Sequence, residues 1–356
     1  MKHIKLSICI GVYNQIGLLR ENVVNILSCD SDEIEVVISD NNSEEDIAGF
    51  VNSINDRRVK YNRLSANVGQ DLNLINGMRY CSGDYVLILR TKDTIYPMQI
   101  KRTLDYLTSH SNVGYFLFSA NDELEIKRMY LEEKEYEKGN DAFMAIMHLL
   151  SHPSGQVFKR SAMDLDLYEK TIQAGGFMDY KSFILHELIR LHIAASYPIR
   201  TSSIVFWKYA LTERSTVVSQ LSKGVKTDLH IPDMEYPRFR CIFTFASSCS
   251  DGLTRTKLLT ALAVKWFNKI TYGFYLRNKN IEMLNHYNCV PIKFDIHHER
   301  IRFMDYFDGL LDQMEEVEKS ARSSMRRRLK KECFLECTFR PVRRVLSKIK
   351  RVLIGH

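Results

Sequence analysis

The chain has 356 residues, 45% hydrophobic and 26% charged, with a formal net charge of +7. That composition suits one large folded domain plus a smaller one and excludes a disordered or collagen-like chain. No run approaches the ~18 apolar residues a membrane-spanning helix needs. The eight cysteines contain no C-x-x-C pair, so neither a zinc site nor a disulfide framework is indicated and a reducing cytoplasm is expected.

The first third alternates strand and helix patterns. "MKHIKLSICIGVYN" has only a short apolar run before Tyr13 and Asn14, so Lys5 to Val12 reads as a strand and not a targeting segment. Leu18, Leu19, Val23, Ile26 and Leu27 have helical spacing, and "IEVVIS" from Ile34 to Ser39 is a second strand. Ser43 or Asn42 is the capping candidate for a helix in "SEEDIAGFVNSI", leaving Asp40 for a ligand. Strands follow at Val59 to Arg63, Tyr85 to Leu89 and Val113 to Ser119, with helices at Gln70 to Arg79 and Met98 to Thr108. Such β-α-β repeats imply a mostly parallel sheet covered by helices on both faces, an α/β fold.

Beyond Ser119 the alternation fades. A helix is expected at Asp141 to Leu150, a short strand or turn at "SGQVFKR", and a helix at Phe177 to His192 after the Gly175-Gly176 break. Gly224, Pro232 and Pro237 mark 219–238 as a linker. Helices at Thr254 to Leu276 and Glu299 to Glu332 make the C-terminal part mainly α. The expected organisation is a catalytic domain over 1–218, a linker over 219–238, a helical region over 239–319 and a basic tail over 320–356.

Four segments near strand ends stand in a set order: "ICIGVYN", "VVISDNNSEED", "NVGQDLN" and "GDYVLILRTKD". Together they resemble family 2 glycosyltransferases of the GT-A fold, over residues 4 to 120 most clearly and more weakly to about 215. A carboxylate at a strand end can accept hydrogen bonds from a base or ribose, and an aromatic ring can stack on the base. The resemblance implies a nucleotide role for Val12, Tyr13 and Asp40, with sugar-nucleotide contacts near Asn67 and Asn73. Bracing of the loop is an equally good reading of Asn73. The family's Pro in the first motif is Gly11 here.

The family's D-x-D turn, which holds a divalent cation on the diphosphate, is Thr91, Lys92 and Asp93 here. Asp93 alone survives as a metal ligand for Mg²⁺ or Mn²⁺. Alternatively Arg90 or Lys92 supplies the positive charge directly, without metal, or the turn is degenerate. An inverting transferase also needs a base. "GGFMDYKSFILHELIRLH" resembles the family's base-bearing segment, with Asp179 at the catalytic position; the plain alternative is a helix cap. Gln156 and Arg160 in "HPSGQVFKRS" are acceptor-side candidates, and Arg214 lies where relatives have a loop closing on the diphosphate. His186 and His192 are six apart, which rules out a zinc pair on one helix face.

From Ser320 to His356, twelve Lys or Arg face two Glu, a net +10 that leaves −3 for the rest. Val342, Val345, Leu346, Ile349, Val352 and Leu353 form one apolar stripe among Arg and Lys, a basic amphipathic helix suited to an anionic membrane surface or, in the plainer reading, to packing on a partner helix. Few aromatic residues interleave, so no nucleic acid is expected. The reading is a peripheral enzyme on the cytoplasmic face of the membrane. It would move a sugar from a nucleotide sugar to a glycan or lipid-linked saccharide in cell-surface polysaccharide synthesis. The alternative is a non-catalytic nucleotide-sugar or glycan-binding scaffold.

Overall fold

The computed structural model describes residues 3–122, 127–149, 152–175, 184–210, 232–279, 295–315 and 317–334. It divides into two compact units, Met1–Thr227 and Asp228–His356.

The first unit is built on one ten-stranded sheet. Strands β1 (Leu6–Val12) and β2 (Ile34–Asp40) run parallel in register from Leu6 opposite Ile34 to Val12 opposite Asp40. Both are buried almost throughout. A strand covered on both faces needs a mostly apolar run, which "LSICIGV" and "IEVVISD" supply, with the buried polar Ser7 and Glu35 bonded to each other at 2.6 Å. β3 (Val59–Arg63) lies parallel outside β2, and β4 (Tyr85–Arg90) parallel on the other side of β1. Between them, α1 (Ile16–Leu27) buries Leu19, Asn22, Val23 and Ile26, one helical face. α2 (Ile47–Asn52) and α3 (Gln70–Arg79) complete the crossovers. α3 packs hard on the sheet: a Cβ at Gly11 would stand 3.0 Å from Asn73 Nδ2 and 3.2 Å from Leu74 Cδ2, which explains why a bare backbone suits that position.

The order β3-β2-β1-β4 reverses the direction of chain progression at β1, so a crevice opens beyond the carboxyl ends of β1 and β4. Past β4 the sheet is mixed. After the two-residue β5 (Thr94–Ile95), α4 (Ile100–Ser109) leads to β6 (Tyr115–Asp122). β7 (Lys127–Met129) pairs with β6, and β8 (Lys134–Tyr136) pairs with β10 (Ile199–Tyr209). α5 (Asn140–His148) precedes β9 (Gln156–Lys159), which inserts antiparallel between β4 and β6. β10 then runs parallel to β6 and receives β5 antiparallel at Trp207 and Lys208.

The sequence reading missed β10 and α6 (Leu165–Ala174). After Ile199 β10 runs through four polar residues, and its register slips twice, between Ser202 and Val205 and between Val205 and Trp207, which destroys a two-residue alternation. α6 buries only Tyr168 and Ile172, too thin a stripe to read; Asp164 caps it by accepting from Leu167 N at 2.9 Å. The helix expected from Phe177 is observed as α7 (Leu185–Ser196), with 176–183 outside the described residues.

The second unit is helical over its described residues: α8 (Pro232–Ser248), α9 (Gly252–Lys279), α10 (Ile296–Asp312) and α11 (319–334). Two expectations change here. The stretch 219–238, expected as a linker, is helix from Pro232 onward; Pro232 opens the helix, where proline is tolerated, and Pro237 lies inside it. The single helix expected from Glu299 to Glu332 is two, parted at 313–318. Phe239, Trp266, Phe303 and Phe307 are buried at their shared core. α11 lays Met325, Leu329 and Cys333 inward, and Arg326 pairs with Asp308 and Asp312 on α10. The amphipathic stripe from Val342 to Leu353 lies outside the described residues. Among the described residues, no helix is long and apolar enough to cross a membrane.

Candidate active site

The carboxyl ends of β1, β2 and β4 meet at one edge. Beyond Val12, whose carbonyl accepts the Asn41 N–H at 2.8 Å, the chain turns through Asn14 and Gln15 at φ 46° and 117°. Four bonds fix this turn to the one after β2: Asn14 N donates to Ser43 Oγ at 2.9 Å, Asn14 Oδ1 accepts from Glu44 N at 2.8 Å, and Glu45 Oε2 accepts from both Gln15 N at 2.7 Å and Ile16 N at 2.6 Å. Tyr13 is thereby held half-buried at the rim.

Asp40 is fully buried. Its Oδ1 accepts from Ser43 N at 2.8 Å; its Oδ2 accepts from Tyr61 Oη at 2.8 Å and Arg63 Nη1 at 3.3 Å. Burial, reinforced by that carboxylate, pushes the Tyr61 phenol up to about 12, so it stays a donor. The expected helix cap is corrected. Neither Ser43 nor Asn42 caps α2; Asp46 does, accepting from Gly49 N at 2.8 Å. Asn42 sits at φ 62°, and the chain completes an Asp40–Ser43 turn before helix begins.

Asn73 and the Asn67 side-chain oxygen bond to protein, while Asn67 Nδ2 has no partner among the described residues. Asn67 Oδ1 accepts from Asn41 Nδ2 at 2.8 Å and Gly69 N at 3.1 Å. Asn73 accepts from Ser39 Oγ at 2.8 Å and donates to the Ser39 carbonyl at 3.0 Å. Both therefore brace the edge.

The β4 turn is tied to β1 by Thr91 Oγ1, which donates to the Gly11 carbonyl at 3.1 Å, and to α1 by Asn22 Nδ2, which donates to the Thr91 carbonyl at 2.6 Å. Asp93 is fully buried; its Oδ2 accepts from Ser154 Oγ at 2.7 Å and its Oδ1 from Ala210 N at 3.0 Å. Arg90 and Lys92 are half-buried beside it. Arg90 Nη1 lies 3.2 Å from His152 Nε2, which is 3.6 Å from Asp93 Oδ2. His152 lies tilted against Trp207, ring centroids 4.8 Å apart, and its Nδ1 accepts from Ser154 N at 3.2 Å. Burial drives the His152 imidazole down to about 4, helped by Arg90 and Lys92 and opposed by Asp93, so it is neutral at neutral pH. Burial also lowers Arg90, against the pull of Asp93.

Not every candidate reaches this edge. Gln156 is fully buried, its Nε2 donating to the His152 carbonyl, so it supports the loop from below. Arg160 lies at the opposite edge, where its Nε donates to the Gly83 carbonyl at 2.7 Å ahead of β4. The reason is that β9 runs antiparallel and carries its end away from the carboxyl ends of β1 and β4. Asp179 and Arg214 lie outside the described residues. Tyr61, Arg63, His152 and Ser154 were missed. Tyr61 and Arg63, two apart at the end of β3, share one face, a period-two signal that could have found the first pair.

Residues 7–166 match the model of glycosyl transferase family 2. Over 205 residues the chain is 27% identical to GalNAc(5)-diNAcBac-PP-undecaprenol beta-1,3-glucosyltransferase of Campylobacter jejuni. That match covers 53% of this chain and 64% of the relative, so the chain spans just under two thirds of that protein's length. The S. aureus TarS 1–349 structure in complex with UDP-GlcNAc is similar with a TM-score of 0.60 at 16% identity, covering 93% of this chain and 91% of that one. The complex of TarS 1–349 with UDP gives 0.57 at 15% identity over the same shares. Likeness at such identity is one of fold.

Proposed function

We propose that this chain, a family 2 glycosyltransferase of the GT-A fold, moves a sugar from a nucleoside-diphosphate donor to a hydroxyl of a lipid-linked oligosaccharide. The observation that carries the reading is the junction of β1, β2 and β4, where an aromatic rim, a buried carboxylate and a cationic turn share one edge. The acceptor class follows the Campylobacter relative, whose name specifies a polyprenyl-diphosphate saccharide.

Tyr13 offers a stacking face for the base. Asp40 acts through Tyr61 and Arg63, which it orients at the outer end of β3. The β4 turn receives the diphosphate. The family's cofactor there is a divalent cation, Mg²⁺ or Mn²⁺. Asp179 takes the proton of the acceptor hydroxyl as its oxygen attacks the anomeric carbon. The carbon–oxygen bond to the diphosphate breaks, that group leaves with the electron pair, and the configuration inverts. Arg214 adds positive charge over the leaving group. The basic tail, 320–356, holds the enzyme against the anionic inner face of the membrane where such an acceptor sits.

The test is a transfer assay with UDP-, GDP- and dTDP-sugars and a polyprenyl-diphosphate oligosaccharide, read by mass shift. Asp179→Asn should lower kcat by about 10²–10⁴-fold with donor Kd unchanged. Donor binding with no transfer to any acceptor would support the scaffold reading instead. No binding of any donor would end both.

A further inference from the structure

In a D-x-D turn two carboxylates carry a charge of −2, which a divalent cation cancels. Arg90, Lys92 and Asp93 instead sum to +1. A dication added here would bring the charges of these three side chains to +3, with Asp93 the one carboxylate among them.

The donor atoms are also committed elsewhere. Both Asp93 oxygens accept protein hydrogen bonds, from Ser154 Oγ at 2.7 Å and Ala210 N at 3.0 Å, and the side chain is fully buried. The ring nitrogen beside it is His152 Nε2, 3.6 Å from Asp93 Oδ2, and it carries the ring proton because Nδ1 accepts from Ser154 N. Arg90 Nη1 is 3.2 Å from that nitrogen, so a guanidinium already sits against the imidazole where a shared metal would have to bind. Among the described residues, no three His, Cys, Asp or Glu side chains gather as metal ligands. The residues present do not fit the family's cation.

We infer that the donor's diphosphate is held by fixed side-chain cations, Arg90 and Lys92, and not by a divalent metal; this rests on the glycosyltransferase reading above. Arg90 is a suitable anchor. Its guanidinium lies beside a neutral imidazole that is itself pinned by Trp207 and by the Ser154 N–H. A guanidinium in such a mount is a fixed charge that can meet phosphate oxygens with little reorganisation. Lys92 adds a point charge from the apex of the same turn.

The experiment is calorimetric titration of the full chain with UDP, GDP and dTDP, and with the matching nucleosides, in EDTA and in excess Mn²⁺. Mn²⁺ electron paramagnetic resonance of each mixture provides a second readout. The expected result is a diphosphate Kd within about twofold in the two buffers and a free-Mn²⁺ spectrum unchanged by protein and nucleotide together. Lys92→Ala, at a half-buried turn position, should weaken the diphosphate by about tenfold or more and leave nucleoside binding unchanged. Binding lost in EDTA and restored by Mn²⁺, or Mn²⁺ taken up stoichiometrically with the nucleotide, overturns the inference and leaves the transferase standing. Binding of none of the three nucleotides in either buffer, by protein that circular dichroism shows folded, overturns the transferase reading and the inference with it.

Discussion

Gly155 is the hinge on which the β4 edge is assembled, and Gly155→Ala should damage the fold and the site together. The residue has φ +79°, and an added Cβ would stand 1.9 Å from Trp207 Nε1 and 2.3 Å from Cε2. Two costs combine. A side chain in that backbone region costs about 1–3 kcal/mol, and overpacking a filled core about 1–3 kcal/mol more. Trp207 has little freedom to yield, because its Nε1 donates to the Phe118 carbonyl at 3.2 Å and its ring backs His152. A loss of roughly 2–6 kcal/mol follows, which at ~2–4 °C per kcal/mol for a domain of this size lowers the Tm by on the order of 10 °C. Gly139→Ala is the control: φ is +80° and nothing stands within 4 Å, so only the backbone cost applies. Urea denaturation of Gly155→Ala, Trp207→Leu and the double variant measures the clash directly. The coupling energy should be about 1–3 kcal/mol. If Gly155→Ala costs the same whether or not Trp207 is present, the steric argument is refuted.

The remaining predictions concern charge and bracing. The His152 imidazole titrates near 4 in the fold against an ordinary 6.5. The unfolded chain therefore takes up that proton first, and stability, whole above about pH 6.5, falls as the pH drops toward 4. The difference amounts to on the order of 3 kcal/mol. His192 is shifted the same way, so the check is denaturation across that range in wild type and His152→Gln, with a shallower slope expected in the variant. Asn73→Ala should cost about 2–3 kcal/mol through its two bonds with Ser39 yet leave UDP affinity intact by calorimetry; a large affinity loss in folded variant would make Asn73 a ligand contact. Arg160→Ala removes a side chain on the far edge of the sheet, so transfer rate and donor Kd should both stay at wild-type values in the mass-shift assay.

Much of the nucleotide half of the fold was legible because it obeys one simple constraint. Strands sandwiched between helices must be apolar on both faces, and β1, β2 and β4 announce themselves that way. The same logic located Tyr13, Asp40 and Arg90 to Asp93 at strand ends. β10 escaped because register slips at Val205 scramble its alternation. The cap of α2 was misread because several residues between Asp40 and Asp46 can accept an N–H, and only the φ of Asn42 decides which one does. His152 and Ser154 carried no local signal. Their place beside Asp93 depends on β9 entering the sheet antiparallel, a long-range pairing that no short motif encodes. The same pairing sent Arg160 to the wrong edge for the role its motif suggested.

The carboxylate of Glu45, seated on the amide of Gln15 just ahead of α1 and on that of Ile16, its first residue, bears on how a ligand would lie. Doubly wound sheets commonly welcome an anion at the start of the helix that follows their first strand, where the amide dipoles converge. Here the polypeptide sets its own negative charge at the mouth of that socket. On the glycosyltransferase reading proposed above, a pyrophosphate would be repelled from the β1 side and drawn across the crevice, so one glutamate on a neighbouring turn would set the polarity with which the donor enters.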